Sequence, residues 1–444
     1  MHSALLDKIR GIVGAESVLT GVELSPYVLE GRTPAAAVFP GSVEEVGALL
    51  ALASDEGIAV IPWGGGTKIA IGAPPKRLGL VLGLRRLNRL LEHEPGDLTA
   101  TAQAGITLDA LQGRLAVRGQ WLSLDPAFGE QATLGGILAA NASGPRRHLY
   151  GTARDLLIGV TVVAADGLVV KGGGKVVKNV AGYDLPKLYI GSFGTLGIIV
   201  EATVKLRPRP DDDRLVLTCF ERLKDCGQAV RLVLTSDLIP SAVELLDGEA
   251  LRGVGLAPGV EAGGAVLLGF DGMREQVEWQ CEEARRLLAG AGPVAQRVLE
   301  AEARDAAWRS VRELGGRVFP EAAAQLRLAV LPSQVAEVIE QAGAAAQRYG
   351  LRAAFGAHAA VGLVTAVLAG GGESAQPVIA ALREWRELVR AAGGHAVLER
   401  APLAVKEQVA VWDPPGAALR IMERIKTQLD PKGILNPGRF VGGI

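Results

Sequence analysis

Cysteine is scarce: the 444 residues hold three, Cys219, Cys226 and Cys281. That number excludes a disulfide framework, and the spacing lacks the close Cys-x-x-Cys pairs of zinc or iron–sulfur ligation. The three are expected to be small buried hydrophobes, so a metal cluster serving the same chemistry belongs on another chain. Long apolar runs are missing too. Stretches such as ILAANASG and LLIGVTVVAADG are broken by Gly, Asn or charge well short of the roughly 20 residues that a membrane span requires. No transmembrane segment is expected. The opening MHSALLDKIRGIVG reads as an amphipathic helix without an apolar signal core and cleavage site, which points to the cytoplasm. Excess charge of one sign is also absent. Lys and Arg number 47 against 48 Asp and Glu, a formal net charge of -1, which excludes a charged disordered tail and gives no nucleic-acid-binding surface.

What is present is core: 49% of residues are hydrophobic, enough for two or three globular domains at this length. The first half alternates strand and helix patterns. AAAVFP precedes SVEEVGALLALASDEG, where Ser42 and Glu45 have the spacing of a capping box. The strand IAVIP follows, then LGLVL and LTATAQAG, and a helix from about Thr107 to Arg118. LLIGVTVVAADGLVVKGG places Asp166-Gly167 between two β-rich runs, a hairpin signal because that dipeptide tolerates positive φ. Two prolines and three aspartates at 208–213 mark a boundary. Beyond it, LVLTCF, AVLLGFDG, RLAVLP and HAVLERAP alternate with helical stretches, the pattern of an antiparallel sheet covered by helices on one face. The Pro- and Gly-punctuated tail LDPKGILNPGRF is expected to return to the first domain. The expected divisions are a helical segment 1–32, a first domain 33–210, a second 211–410 and a C-terminal segment 411–444.

Three loops in the first domain are candidate ligand contacts. In IPWGGGTKIAIG, residues 61–72, three glycines follow a strand. A Rossmann fingerprint needs its third glycine and a helix, and a P-loop needs Gly-Lys-Ser/Thr; neither is here. An exposed backbone able to nest an anion fits the loop, as does a plain turn with no ligand. In DPAFGEQATLGGILAANASG, Thr133 stands before a small-residue run like a helix N-cap, with Gly135 and Gly136 leaving room for a close approach. A third segment sets Gly191, Gly194 and Gly197 around Thr195 just before a strand. Three such loops suggest a long ligand with a pyrophosphate, and flavin adenine dinucleotide fits that length.

Taken in order, Pro62-x-Gly-Gly-Gly-Thr, Thr133-Leu-Gly-Gly, Asn141-x-Ser-Gly, Tyr150-Gly-x-x-Arg-Asp, Gly182-Tyr-Asp-Leu, Gly194-Thr-Leu-Gly and Asp430-Pro-Lys-Gly-Ile-Leu-Asn-Pro-Gly resemble the vanillyl-alcohol oxidase/PCMH-type FAD-binding family. Within it they are most similar to the FAD-binding subunits of glycolate oxidases, from about residue 33 to the end. The resemblance implies an α+β fold: a PCMH-type FAD-binding domain of two subdomains and a cap domain with a helix-covered antiparallel sheet. It also implies site roles. Trp63, Gly64, Gly65, Gly66 and Thr67 would surround the pyrophosphate; Thr133, Leu134, Gly135 and Gly136, then Asn141, Ser143 and Gly144, would run along the flavin; Pro62, Lys68, Pro126 and Ala139 would be further cofactor contacts. Tyr150, Gly151, Arg154 and Asp155 belong to the next motif, and Gly194, Thr195 and Gly197 to the one before the strand. Ile198 and Ile199 would lie toward the adenine and Asn436 near the isoalloxazine. Some members attach flavin through His or Cys. Neither occurs in GGGTKIAIG or in 125–144, so FAD is expected to be noncovalent, with His148 the nearest alternative anchor.

Relatives that oxidise 2-hydroxy acids carry a His-x-Gly-Asp-Gly-Asn-x-His loop that binds a divalent metal, and a later Glu-His; the metal holds the substrate while C2 hydride passes to flavin N5. Here the loop reads His358-Ala-Ala-Val-Gly-Leu-Val-Thr365, and Gly394-His395 stands where Glu-His is expected. Two imidazoles without a carboxylate are a poor divalent site, so no metal is expected. Arg327 matches a basic position facing the substrate carboxylate in relatives, and its planar fork could clamp that group; an arginine paired with an acid of its own chain is the other reading. Arg327, His358 and His395 are thus the candidate catalytic residues. Two readings follow: an FAD-carrying subunit of a glycolate oxidase, beside a homologous catalytic flavoprotein and an iron–sulfur subunit at the inner membrane, or a self-sufficient FAD-dependent 2-hydroxy acid dehydrogenase. A weaker third is a structural subunit without flavin.

Overall fold

The computed structural model describes residues 3–175, 183–372 and 374–444; Gly182 of the Gly182-Tyr-Asp-Leu motif lies outside them. The chain divides into two compact units, one comprising Met1–Ser143, Thr152–Pro208 and Pro414–Ile444, the other Gly144–Gly151 and Arg209–Asp413. Among the described residues no helix is long and apolar enough to cross a membrane.

Among the described residues the first unit holds two larger sheets and a two-stranded one that pairs Arg207–Pro208 with Gln120–Trp121. Ala36–Val38, Leu80–Gly83 and Val60–Trp63 pair in parallel, with Val18–Leu19 antiparallel at one edge. Because Val60–Trp63 and Leu80–Gly83 run the same way, the glycine-rich stretch between them is a crossover rather than a hairpin turn. The second sheet is antiparallel, in the order Leu90–Glu94, Thr99–Gln103, Ile198–Lys205, Leu157–Val163, Val169–Gly173. Its last two strands form the Asp166-Gly167 hairpin, with Val163 opposite Val169 and Gly167 at φ 89°. Helix starts follow their caps. Ser42 Oγ accepts from Glu45 N–H at 3.1 Å to open Val43–Asp55; the Glu45 carboxylate reaches back to Gly41 N–H at 2.7 Å, one residue before the usual capping-box donor. Thr107 caps Leu108–Ala116 in the same way.

In the second unit eight antiparallel strands run in the order Ala295–Leu299, Asp212–Phe220, Gly264–Gly272, Ala242–Asp247, Arg352–His358, Leu363–Ala369, Ala322–Ala329, His395–Arg400. Side chains alternate between the two faces. Val216, Val243, Leu245, Val266 and Leu268 point into a core with residues of the helices Leu223–Leu234, Arg274–Ala289, Val335–Arg348 and Gln376–Ala391. Trp385 is fully buried there and donates its indole N–H to Ala342 O at 2.8 Å. Leu215, Leu217, Leu246 and Leu267 face the other way, into a smaller core with Trp308 and Leu314. Helices therefore cover part of the second face as well. The three cysteines are free and buried.

Asp247 caps Gly248–Gly253, and its Oδ1 accepts from Ala250 N–H at 2.8 Å and from Phe355 N–H at 3.0 Å. Burial raises its pKa from 3.8 to about 6. The folded state thus holds the proton more tightly than the unfolded chain, so this group's contribution is intact below pH of about 4 and is lost as pH rises through about 6. Asp247→Asn keeps an oxygen for both N–H groups and removes the charge. It is expected to match the wild type near pH 4 and to gain about 3 kcal/mol above pH 7, read as denaturation midpoints across that range.

Candidate functional site

The crossover after Val60–Trp63 meets two other segments in the first unit. Pro62–Ile69, Thr133, Gly135, Gly136, Ala139, Phe193, Gly194, Gly197, Ile198, Ile199, Asn436 and Arg439 line one cleft, together with Ile71, Leu84 and Ala140. It encloses about 810 Å³ of space free of atoms, open solvent at its mouth included.

The glycines first make this convergence possible. A Cβ on Gly65 would stand 1.8 Å from Gln131 O, and one on Gly64 2.2 Å from Thr133 Oγ1. On Gly194 it would meet the Pro62 ring at 2.8 Å, and on Gly135 the Ala104 Cβ at 2.7 Å. Gly66 has φ 77°, a region an L side chain seldom adopts. The missing side chains let three loops touch, and the cleft is the space left among them.

Its polar groups are held from behind. Thr133 Oγ1 accepts from Gly136 N–H at 3.3 Å, capping Leu134–Ala140. Asn436, at φ 46°, donates its amide to Phe193 O at 2.7 Å. Segment 434–436 adds to the edge of Val60–Trp63 through Val60 N–H to Ile434 O at 2.8 Å and Asn436 N–H to Val60 O at 2.9 Å. Arg439, 2% exposed, donates to the carbonyls of Ile69 and Ile71; burial lowers its pKa to about 10, so it stays a cation at neutral pH.

The cleft fits a dinucleotide. The backbone N–H groups of Gly65, Gly66, Thr67 and Lys68, on an exposed to half-buried loop, donate to no partner among the described residues, which leaves them open to an anion as in a backbone nest. Lys68 adds a positive charge to the same loop. Asn436, a lining residue, has a buried Oδ1 that also lacks a hydrogen-bond partner among the described residues. An anionic centre at 65–68 and a donor at Asn436 answer those groups.

Several expected positions lie outside the lining. Leu134 is fully buried in the core. Thr195 turns its hydroxyl to Ser192 O at 2.7 Å. Arg154 donates to Lys187 O at 3.3 Å and Asp155 closes a capping box with Thr152. Pro126, Asn141 and Ser143 are not among the lining residues. Gly144, Tyr150 and Gly151 belong to the second unit, where the Tyr150 hydroxyl donates to Asp271 and Arg146 pairs with Asp213. His148 lies in that same segment, and burial lowers its pKa. Phe193, Ile69 and Arg439 are lining residues that the sequence reading missed; Arg439 stands one residue beyond the Asn-Pro-Gly motif.

In the second unit Arg327, Thr365, His358 and Glu244 share one sheet face. Arg327 lies opposite Thr365 on the neighbouring strand, and His358 lies opposite both Leu363 and Glu244. Two strand spacings and two residues separate Arg327 from His358, about 12 Å between backbones. Arg327 is ion-paired with Glu399, a buried carboxylate that also accepts from Gln325 at 2.8 Å. His358 Nδ1 lies 2.8 and 2.9 Å from the two oxygens of Glu244, itself 2% exposed. His395, opposite Ala329 on the edge strand, is three strands from His358, about 14 Å away, exposed, with Asp413 at 3.9 Å. The structure does not bring the two imidazoles together. Among the described residues no group of three His, Cys, Asp or Glu side chains could hold a metal ion.

Two family models match the chain. A family model described as an FAD binding domain matches residues 34–173, and one described as the C-terminal domain of FAD linked oxidases matches 209–440. The chain is 31% identical to glycolate oxidase subunit GlcD of Bacillus subtilis (strain 168), covering 92% of this chain and 89% of that protein. It is 30% identical to D-lactate dehydrogenase of Archaeoglobus fulgidus, covering 91% and 90%. Among solved structures it is similar to p-cresol methylhydroxylase with substrate bound, at a TM-score of 0.79 and 20% identity over 98% of this chain and 96% of that one, a likeness of fold.

Proposed function

Because this chain belongs to the family of FAD-linked oxidases and is an FAD-dependent oxidoreductase of the glycolate oxidase/D-lactate dehydrogenase type, we propose that it is the flavin-bearing subunit of a glycolate-oxidising complex. In that complex it works beside a homologous catalytic flavoprotein and an iron–sulfur subunit. The observation that carries this reading is one of composition within the chain: the cleft at 62–68 keeps its full set of donors, while the loop His358–Thr365 has Val361, Leu363 and Thr365 where relatives place metal ligands. FAD, when bound, supplies a two-electron acceptor. Residues 65–68 hold its pyrophosphate through backbone N–H groups, and Asn436 and Arg439 border the opposite part of the lining. Among the described residues no His, Cys or Tyr lines the cleft, which supports a noncovalent flavin. The complex docks at the membrane through its other subunits, this chain remaining on the cytoplasmic side.

The Glu244–His358 pair supports a second reading, in which this chain turns over a small 2-hydroxy acid by itself. A buried carboxylate on Nδ1 fixes the imidazole tautomer and leaves Nε2 to take the substrate hydroxyl proton, while Arg327 receives the carboxylate. The visible spectrum of the chain purified alone, recorded anaerobically before and after glycolate or D-lactate, separates the two. Flavin that stays oxidised until the other subunits are added supports the proposal. Bleaching by the isolated chain overturns it in favour of the second reading.

A further inference from the structure

Behind the cleft, the helix Leu419–Leu429 carries Lys426, whose side chain is 12% exposed. An ammonium has three protons to donate and accepts nothing. Here three acceptors meet it: Asp430 Oδ2 at 2.6 Å, Thr195 O at 2.8 Å and Leu435 O at 2.9 Å. Each belongs to a different part of the cleft's frame. Thr195 follows Phe193 and Gly194, both lining residues, and Leu435 precedes Asn436, another. Asp430, with a fully buried side chain, also receives Ile434 N–H at 2.9 Å and Leu435 N–H at 2.8 Å. The residue thus joins the 193–195 turn to the 434–436 segment, which is itself fastened to the strand leading into the glycine loop. The Asn436 amide ties the same two segments a second time, donating to Phe193 O at 2.7 Å.

We propose that Lys426, which does not line the cleft, is a positioning residue that sets FAD affinity by fixing the separation of these two walls. The inference rests on the cleft being the FAD site. A neutral side chain of the same length would leave two carbonyls and a buried carboxylate without their shared donor, and the walls would no longer be held at one spacing. Charge-assisted hydrogen bonds of this kind are each worth about 1.5–3 kcal/mol. Losing the junction is expected to weaken FAD binding by about tenfold to a hundredfold, the equivalent of one such bond.

The test is an FAD titration of flavin-free full-length chains, by quenching of flavin fluorescence, for the wild type, Lys426→Met, Lys426→Arg and the charge-balanced double variant Lys426→Met with Asp430→Asn. Unfolding midpoints of the flavin-free proteins are measured alongside. A merely structural lysine lowers the midpoint and leaves the Kd of the folded protein unchanged. The proposal expects a raised Kd in Lys426→Met and in the double variant, and an intermediate one in Lys426→Arg, whose planar fork keeps the charge but not the three-way geometry. Should Lys426→Met fail to fold, the double and arginine variants decide. A wild-type Kd in every folded variant overturns the role of Lys426 while leaving the FAD cleft intact; a wild type that binds no FAD overturns both.

Discussion

A Gly65→Ala variant is expected to purify without flavin. The added Cβ would stand 1.8 Å from Gln131 O and 2.6 Å from Gln131 C, backbone atoms that no rotamer change can move aside. Gln131 is fixed in turn, its N–H bonded to Phe128 O at 2.9 Å, and Ala132 O accepts from Leu108 N–H at 2.9 Å. The glycine loop must therefore shift, and it carries the four N–H groups proposed to receive the pyrophosphate. Overpacking of this kind costs about 1–3 kcal/mol of stability, and FAD affinity should fall by at least about tenfold if only one charge-assisted contact is lost. Gly113, inside Leu108–Ala116, has nothing within 4 Å of an added Cβ. Gly113→Ala is the control: it should keep its flavin and gain about 0.5–1 kcal/mol from helix propensity. Flavin content after purification and a urea midpoint for each protein check both statements, and a flavin-replete Gly65→Ala chain would refute the packing argument.

Arg439→Met is expected to lose both stability and cofactor. The guanidinium holds Ile69 O and Ile71 O, the latter at 2.7 Å, and Ala73 N–H bonds back to Arg439 O at 3.0 Å. This arm continues directly from the glycine loop, so Arg439 fixes the loop's far end. Removing the charged donor from two carbonyls costs about 3 kcal/mol. Arg439→Lys keeps the charge, but a single ammonium lacks the guanidinium's fixed fork, and it should fall between the two. Urea unfolding of the flavin-free chains reads the stability effect, and FAD titration reads the consequence for the cleft. An unchanged unfolding midpoint in Arg439→Met would show that the two carbonyls find other donors at no cost.

The parts of this molecule legible in its sequence are those decided by neighbours in the chain. Ser42, Thr107 and Thr133 cap helices because their side chains reach N–H groups three residues ahead. Asp166-Gly167 turns a hairpin because Gly167 adopts positive φ. The glycine loop could be recognised, yet its crowding against Gln131 and Thr133 could not, because that depends on a segment more than sixty residues away. Long-range partners account for the remaining gaps. His358 looks like an isolated remnant of a metal loop until the sheet order places Glu244 opposite it, 114 residues earlier. Arg327 finds Glu399 through a neighbouring strand. Lys426 reaches Thr195 across 231 positions. The segment Gly144–Gly151 reads as a continuation of the flavin motifs, but Arg146 and Tyr150 pair with Asp213 and Asp271 on strands of the second unit, and no local pattern marks that excursion.

We propose that this chain holds FAD noncovalently in the cleft built by 62–68, 133–139, 193–199 and 436–439. Acid precipitation of the purified full-length protein, with flavin assayed in both supernatant and pellet, tests it most directly. FAD is expected in the supernatant at close to one per chain from the wild type and is expected to be absent from Gly65→Ala. Flavin that remains on the pellet, or a wild-type chain that holds none even after FAD is supplied, would contradict it.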